Sequence, residues 1–432
     1  MGERSMSYDT HCCIVGGGPA GMVLALLLGR AGIQTTLLEE HHDFERDFRG
    51  DTVHPSTMEL MDDLGLADRL LELPHAKIHR LMFDGPGGPV VLADLSRLKT
   101  KFPYITMMPQ ARFLDFLAGE LDKMPSVRLI MGAAVHGLLW DDPWGLSGTA
   151  DRPPSEQKAG APSGGVDRSL PEDATVRGVH YRTRGGQHDL RAPLTIGADG
   201  RFSRLRRLAG FELESSAPPM DVLWFRLPRH PGDPDDTRGK IARGHLMVVL
   251  NRGDEWQIAY VIAKGAYKEI HDAGLPAFRQ AIAEMAPELA DRVDEIQDWR
   301  QTSLLSVEAG RIKQWFRPGL LLIGDAAHVM SPVGGVGINY AIQDAVVAAN
   351  VLREPLKEGR LRLRDLAAVQ RQREIPTRII QRFQKIAQEQ VVTRALTSDA
   401  PMQPPPVMRL PVLRDLVPRL VAQGVWPVHP KL

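Results

Sequence analysis

Apolar positions come in unbroken runs near the start of the chain. Residues 9–15 close on Cys12-Cys13-Ile14-Val15, with no charged side chain among those four. A run this short, stopped by glycines, predicts a strand buried on both faces. Gly16-Gly17-Gly18-Pro19-Ala20-Gly21 follows, and residues 22–31, almost wholly apolar, predict a buried helix. A second apolar run over 33–39 ends on the acids Glu39 and Glu40. Strand, glycine turn, helix and strand make one βαβ unit, the start of an α/β domain.

The pattern changes over 78–91 and again over 221–263. Stretches such as Val222-Leu-Trp-Phe-Arg-Leu and Trp256-Gln-Ile-Ala-Tyr-Val-Ile are rich in β-formers and set apart by Pro, Gly and Asp. They predict antiparallel strands of a second sheet, inserted between parts of the first domain. Phe278, Ile282, Met285, Leu289 and Val293 recur at helical spacing and predict a helix within 276–298. Past residue 350, Leu366, Val369, Ile375, Ile379, Phe383 and Ile386 carry a helical pattern to about 398. In the Pro-rich tail, Leu413, Leu416, Val417, Leu420 and Val421 fit a short amphipathic helix, packed on the body or set against a membrane or partner. Residues 142–173 have almost no large apolar side chains and read as an exposed, mobile insertion in a hairpin-like connection. The expected organisation is a first domain of 8–77, 105–218 and 299–350, a β-sheet domain of 78–104 and 219–298, and C-terminal helices and tail over 351–432.

Composition narrows this little. At 432 residues the chain exceeds what one core usually serves. Apolar residues at 43% and charged ones at 25% are the balance of an ordinary soluble protein. Lys+Arg and Asp+Glu both number 53, so no net field favours nucleic acid. The two cysteines, Cys12 and Cys13, are neighbours on a strand and point to opposite faces, which excludes a disulfide framework. No signal pattern or bilayer-length apolar stretch is present, so the expected location is cytoplasmic, without stable membrane insertion.

The chemistry lies in the turns. Gly16-x-Gly18-x-x-Gly21 follows a predicted strand and opens a helix, with Glu39 an appropriate distance on. Gly16 permits the tight turn, Gly18 lets amides approach a pyrophosphate, and Gly21 lets helix and strand pack closely. Glu39 suits an adenosine ribose. This is a dinucleotide cradle, and by itself it does not separate FAD from NAD. Asp199-Gly200-Arg201 ends another apolar run, where Asp199 serves equally as a ligand or as a cap for the next helix. Arg201, Arg204, Arg206 and Arg207 read as a solvated face or as partners of a second phosphate-bearing molecule. Residues 319–339 form a third strand-and-loop, with Gly324, Asp325, His328, Ser331, Pro332 and a glycine series ending at Asn339. Asp, His and Ser here lack a Gly-x-Ser-x-Gly elbow, and His328 has no partner at metal-ligand spacing, so neither a hydrolase nor a metal site is expected. Backbone amides converging on negative charge are the better reading.

Three such motifs in this order resemble the flavoprotein aromatic hydroxylases, the family of p-hydroxybenzoate hydroxylase, over roughly residues 8–350. Phe48-Arg49-Gly50-Asp51-Thr52-Val53-His54 and Met108-Pro109-Gln110-Ala111-Arg112 match two further segments. The resemblance implies a Rossmann-like FAD-binding domain with the inserted sheet as substrate domain, FAD as cofactor and NAD(P)H as co-substrate. It assigns Gly16, Gly18, Pro19, Ala20, Gly21, Glu39, Glu40, Arg49, Gln110, Val135, Asp199, Gly324, Asp325, Pro332, Gly335, Val336, Gly337, Ile338 and Asn339 to the cofactor. Arg49 and Pro332 carry positioning roles in catalysis, with no side-chain nucleophile. The implied reaction is hydroxylation of an aromatic or polyketide-like small molecule by dioxygen through a C4a-hydroperoxyflavin. The protein is expected as a monomer or homodimer.

Substrate contacts are sought on the second sheet, among Trp224, Arg226, His245, Met247 and Tyr260, with the flavin-facing side left open by the sequence. Two other readings share the fold or the cofactor. One is a halogenase or prenyl reductase, although Trp256 stands alone where halogenases carry a Trp-x-Trp-x-Ile-Pro signature. The other is a flavin-binding protein without enzymatic activity.

Overall fold

The computed structural model describes residues 8–45, 50–85, 88–141, 174–234, 237–242, 244–392 and 411–431. Two sheets organise them. The first runs Phe316–Arg317, Leu320–Leu322, Leu194–Gly197, Cys12–Val15, Thr35–Glu39, Val127–Met131, all parallel except the first strand. Cys12–Val15 is buried throughout, as its unbroken apolar run requires. The helix Pro19–Arg30 packs between this sheet and the helices Gln110–Leu121 and Gly337–Lys357. Val15 stands opposite Leu38 and Gly197, and Gly197 opposite Leu322. Parallel register therefore brings the glycine turn, Glu39, the Asp199 turn and the Gly324-Asp325 turn to one carboxyl edge.

The second sheet runs Ser303–Ser306, Met220–Pro228, Glu255–Ala263, His245–Asn251, Arg238–Ala242, Arg80–Gly85, Gly88–Asp94. It reaches past the expected boundary at 298, because Leu304 and Leu305 pair with Leu223 and Val222 while Asp221 accepts from the Val307 amide. Leu223, Phe225, Met247, Ile258 and Tyr260 form an outer face packed on Phe278, Ile282 and Met285 of the helix Leu275–Met285. That helix stops short of the predicted 298, at Pro287, which cannot continue it, and Leu289 and Val293 are buried from short turns instead. The inner face carries Val222, Leu246, Ala259 and Val261, with Trp224, Val248 and Val333 packed against them.

The insertion at 142–173 lies outside the described residues, between strands Ala134–Asp141 and Thr175–Thr183 that do pair as a hairpin. The helix Leu363–Ala387 buries Leu366 and Val369 but leaves Ile375, Ile379 and Ile386 exposed, so its apolar positions do not all face one core. The tail helix Pro411–Ala422 lies on the body: Val421 and Ala422 are buried among Ile105, Met107, Val336 and Tyr340. Among the described residues no helix is long and apolar enough to cross a membrane.

Candidate functional site

At the carboxyl edge the glycines divide by task. A β-carbon on Gly16 would stand 2.4 Å from the Ala198 carbonyl, and one on Gly21 only 2.0 Å from the Gly16 carbonyl. Gly18 meets nothing within 4 Å, so the space above it is open. The helix Pro19–Arg30 begins there with no side-chain cap and no acid in its first turn, leaving its amides and positive end to a ligand anion. Ala20 is buried beneath. Glu39 braces the loop: its carboxylate accepts from Gly17 N at 2.7 Å and His41 N at 3.0 Å, and meets His41 Nδ1 at 2.7 Å. Glu40 points to solvent.

Ser203 caps the next helix, Arg204–Leu208, and Asp199 braces its first turn, accepting from Leu205 N (3.0 Å) and Ser203 Oγ (2.6 Å). Burial raises its carboxyl against those bonds. Arg206 ties this turn to the third motif, donating to the carbonyls of Ala326 (3.0 Å), Asp325 (3.3 Å) and Arg201 (2.6 Å). Arg204 donates to the Val135 carbonyl at 2.8 Å. Beside it lies an open cleft of about 150 Å³ lined by Ala134, His136, Arg182, Gln187 and Arg204, at the strand whose Val135 the resemblance assigns to the cofactor.

Beneath Gly324 sits a buried charge network that sequence reasoning missed. Asp344 Oδ2 accepts from Gly324 N at 2.9 Å and meets His328 Nε2 at 2.6 Å, while Oδ1 accepts from Arg373 Nε at 2.7 Å. Burial alone would raise the Asp344 carboxyl, but His328 and Arg373 outweigh it and hold it below its ordinary value. The Trp315 ring lies tilted against His328, with centroids 4.9 Å apart. Ser331 bonds elsewhere, with Gln388 and Val333 N, so Asp, His and Ser form no triad.

The loop after Pro332 turns on Gly334 and Gly335, at φ +81° and +63°, where a side chain would be strained. Thr52 Oγ1 donates to Gly335 O at 3.3 Å, and Ile338 packs under Gly50. The helix Gly337–Lys357 starts with no side-chain cap. Asn339 is buried, its Oδ1 accepting from Ser56 and Thr57. His54, pressed to about 4 by burial against the pull of the Val421 carbonyl, joins the tail helix to this loop through a 2.6 Å bond. Gln110 opens the helix Gln110–Leu121, and its amide donates to Asp51 Oδ1 at 3.3 Å. Arg49 lies outside the described residues.

Of the five substrate candidates, Trp224 and Arg226 lie on the inner face, with Arg226 opposite Gln257. The structure separates the other three from them. Met247 and Tyr260 are in the outer core, and the His245 ring lies 5.4 Å from Tyr260, because alternate residues of a strand face opposite ways. Asp51, Arg252 and Gln257 also went unassigned by sequence. The only signal was a charged residue beside Arg49-Gly50 and another just past a strand end.

Along the junction of loop and inner face, polar atoms are buried without hydrogen-bond partners: Asn339 Nδ2, His54 Nε2, Asp51 Oδ2, Gln257 Oε1 and Trp224 Nε1. Each such atom costs about 1–3 kcal/mol, so a row of them marks where a ligand's polar edges belong. Together with the open space over Gly18 and two uncapped helix N-termini, the residues fit a flavin dinucleotide.

The model of the FAD binding domain family matches residues 9–147 and 167–382. The chain belongs to this family. This FAD-binding protein is 31% identical over 421 residues to 6-methylpretetramide 4-monooxygenase of Streptomyces rimosus, covering 95% of the chain and 92% of the relative. It is a flavoprotein monooxygenase. p-Nitrophenol 4-monooxygenase of Pseudomonas putida DLL-E4 superposes with a TM-score of 0.73 at 18% identity, covering 98% of this chain and all of that one. A flavin-dependent brominase superposes at 0.71 with 16% identity, covering 96% and 94%. Those two likenesses are of fold alone.

Proposed function

We propose that this FAD-dependent monooxygenase takes electrons from NAD(P)H and hydroxylates an electron-rich aromatic compound of polyketide type. The observation that carries the reading is the inner face of the second sheet. Its cross-strand rows Val222–Val261–Leu246 and Trp224–Ala259–Val248 are apolar except for one indole N–H, and only the third row, Arg226–Gln257–Leu250, is strongly polar. A broad apolar wall with one polar end suits fused rings bearing a hydroxyl better than a compact acid. The Streptomyces relative, named for 6-methylpretetramide, supports the same reading.

FAD, when bound, supplies the chemistry: it accepts a hydride and passes the electrons to dioxygen, one atom of which enters the substrate. The chain's own residues bind, orient and shield. The amides around Gly18 and the first turn of Pro19–Arg30 hold the pyrophosphate, Glu39 the adenosine ribose, and Asp325 the ribityl chain. Gln110 and the Pro332 to Asn339 loop flank the ring system, where the amides opening Gly337–Lys357 stabilise negative charge. Trp224 and the apolar rows exclude water.

The test is to incubate the purified yellow protein with a panel of hydroxylated aromatics under labelled dioxygen, with NADH and NADPH in parallel. Accelerated nicotinamide oxidation with one label per product is the expected result. Substrate consumption without label, or a requirement for halide, would overturn the reading.

A further inference from the structure

The helix Leu363–Ala387 buries one side against the body and leaves a patterned side in water. Leu366, Arg373, Thr377 and Ile380 are buried. On the opposite side stand Ile375, Ile379 and Ile386, each between 42% and 51% exposed. At about 100° per residue the last two lie within about 40° of Ile375, so the three form one stripe about 17 Å long. Single exposed aliphatics are ordinary on a protein surface. An aligned row is not, and a β-branched side chain supports an exposed helix less well than Ala, Lys or Arg.

Beside the stripe runs a row of cations. Arg371, Arg378 and Arg382 lie within about 60° of Ile375, all on one side of it, and Lys385 continues the row. All four are exposed. Among the described residues, only Arg378 of these four has an ion-pair partner, Glu374 at 2.6 Å. Glu389 is exposed just past the helix end, so four cations stand against two acids along the row. The whole chain carries no net charge, which makes this surplus a local feature.

We propose that this face docks on a membrane of anionic lipid, with the helix lying flat on its surface. The isoleucines enter the boundary between headgroups and acyl chains. The arginines and Lys385 lay their stems along that boundary and hold their charges at the phosphates. A second copy of the chain fits badly. Packed antiparallel about Ile380, it sets Arg378 against the copy's Arg382; packed parallel, it sets like charge on like charge along the row. The outward side of a helix is a convex ridge, and a fluid anionic surface moulds to it without a preformed groove. The tail helix Pro411–Ala422 does not compete for this role, because Val421 and Ala422 are buried on the body. No helix among the described residues can cross a bilayer, so the attachment is peripheral. Docking holds the enzyme where apolar aromatic compounds collect. That advantage rests on the hydroxylase reading above; the docking itself does not.

The test sediments the FAD-loaded full chain with vesicles of phosphatidylglycerol and phosphatidylcholine in equal parts, and with phosphatidylcholine alone. Binding is expected to the first and is expected to be weak on the second. It should fall as salt rises from about 0.1 M to about 1 M, where the Debye length shrinks from about 10 Å to about 3 Å. Arg371→Gln and Arg382→Gln should each weaken binding about fivefold. Ile375→Ser, Ile379→Ser and Ile386→Ser should each weaken it about five- to tenfold. These side chains face water, so flavin content and thermal midpoint should match wild type, which separates lost docking from lost fold. An environment-sensitive dye on Ile379→Cys should shift to the blue on vesicles; Cys12 and Cys13 are buried and do not take the label. No sedimentation on anionic vesicles at low salt overturns the proposal and leaves the face to an acidic protein. Equal binding to neutral vesicles, binding untouched by these substitutions, or sedimentation without a dye shift overturns it too. So does a dimer in lipid-free solution that Ile379→Arg dissociates. If docking is seen while no aromatic compound is hydroxylated, the surface stands and the hydroxylase reading fails.

Discussion

Two aspartates are buried in this molecule beside arginines, and they end in opposite states. Asp344 is fully enclosed with both oxygens occupied, by Gly324 N, His328 and Arg373, and its carboxyl is held low. Asp51 is nearly as enclosed but has one long backbone bond, the Gln257 side chain and one misaligned arginine, and burial outweighs them and lifts it to about 6. Burial opposes the charge at both places; the number and alignment of donors decides which effect wins. A saturated carboxylate is a strut under the Gly324-Asp325 turn. A carboxylate with fewer aligned donors is left closer to its neutral form.

The largest effect should come from Asp344→Ala, which leaves Arg373 enclosed without its partner. Breaking such a buried network costs about 3–5 kcal/mol, read by urea denaturation, and flavin should be lost with it because Gly324 N loses its anchor. Asp51→Asn should cost far less and retain flavin. The reverse order would break the contrast between the two acids.

His54 offers a third buried group, bonded to the Val421 carbonyl. Its folded value near 4 lies below the ordinary 6.5, so the unfolded chain binds more protons between those values. Stability is then fully present above about 6.5 and falls as pH drops toward 4, by about 3 kcal/mol in all. His54→Gln should abolish that part of the acid dependence, measured by denaturant midpoints from pH 8 to 5.

The smallest effect concerns the pH slopes of the two acids, which should oppose each other. Asp51, raised in the fold, contributes stability that is present below about 4 and lost as pH rises through about 6. Asp344, lowered in the fold, contributes stability present above the ordinary carboxylate range and lost as pH falls below it. Subtracting the profile of each variant from wild type should give slopes of opposite sign. Equal signs would mean that the two environments are not distinct.

Local motifs were readable because short segments carry all their own requirements. The Gly16–Gly21 loop needs missing β-carbons and a strand before it, and both are visible in sequence. Asp199 was readable only as two alternatives, and in the fold it accepts from Leu205 N and Ser203 Oγ at the start of the next helix. The strand runs of the second sheet were legible, but their facing was not. Alternation groups Trp224 with Arg226 and Trp256 with Tyr260, and only the helix Leu275–Met285 on one side and Val333 on the other decide which group turns outward.

By itself, then, the sequence determined the βαβ opening, the glycine-bearing turns at the strand ends and the inserted sheet. Those are matters of periodicity and of backbone freedom within a few residues. Tertiary structure alone decided that His328 belongs with Asp344 and Arg373, that His54 holds the tail, and that Asp51 meets Arg252 across 201 positions of chain. A carboxyl's charge depends on what encloses it, and residues far apart in sequence supply that enclosure.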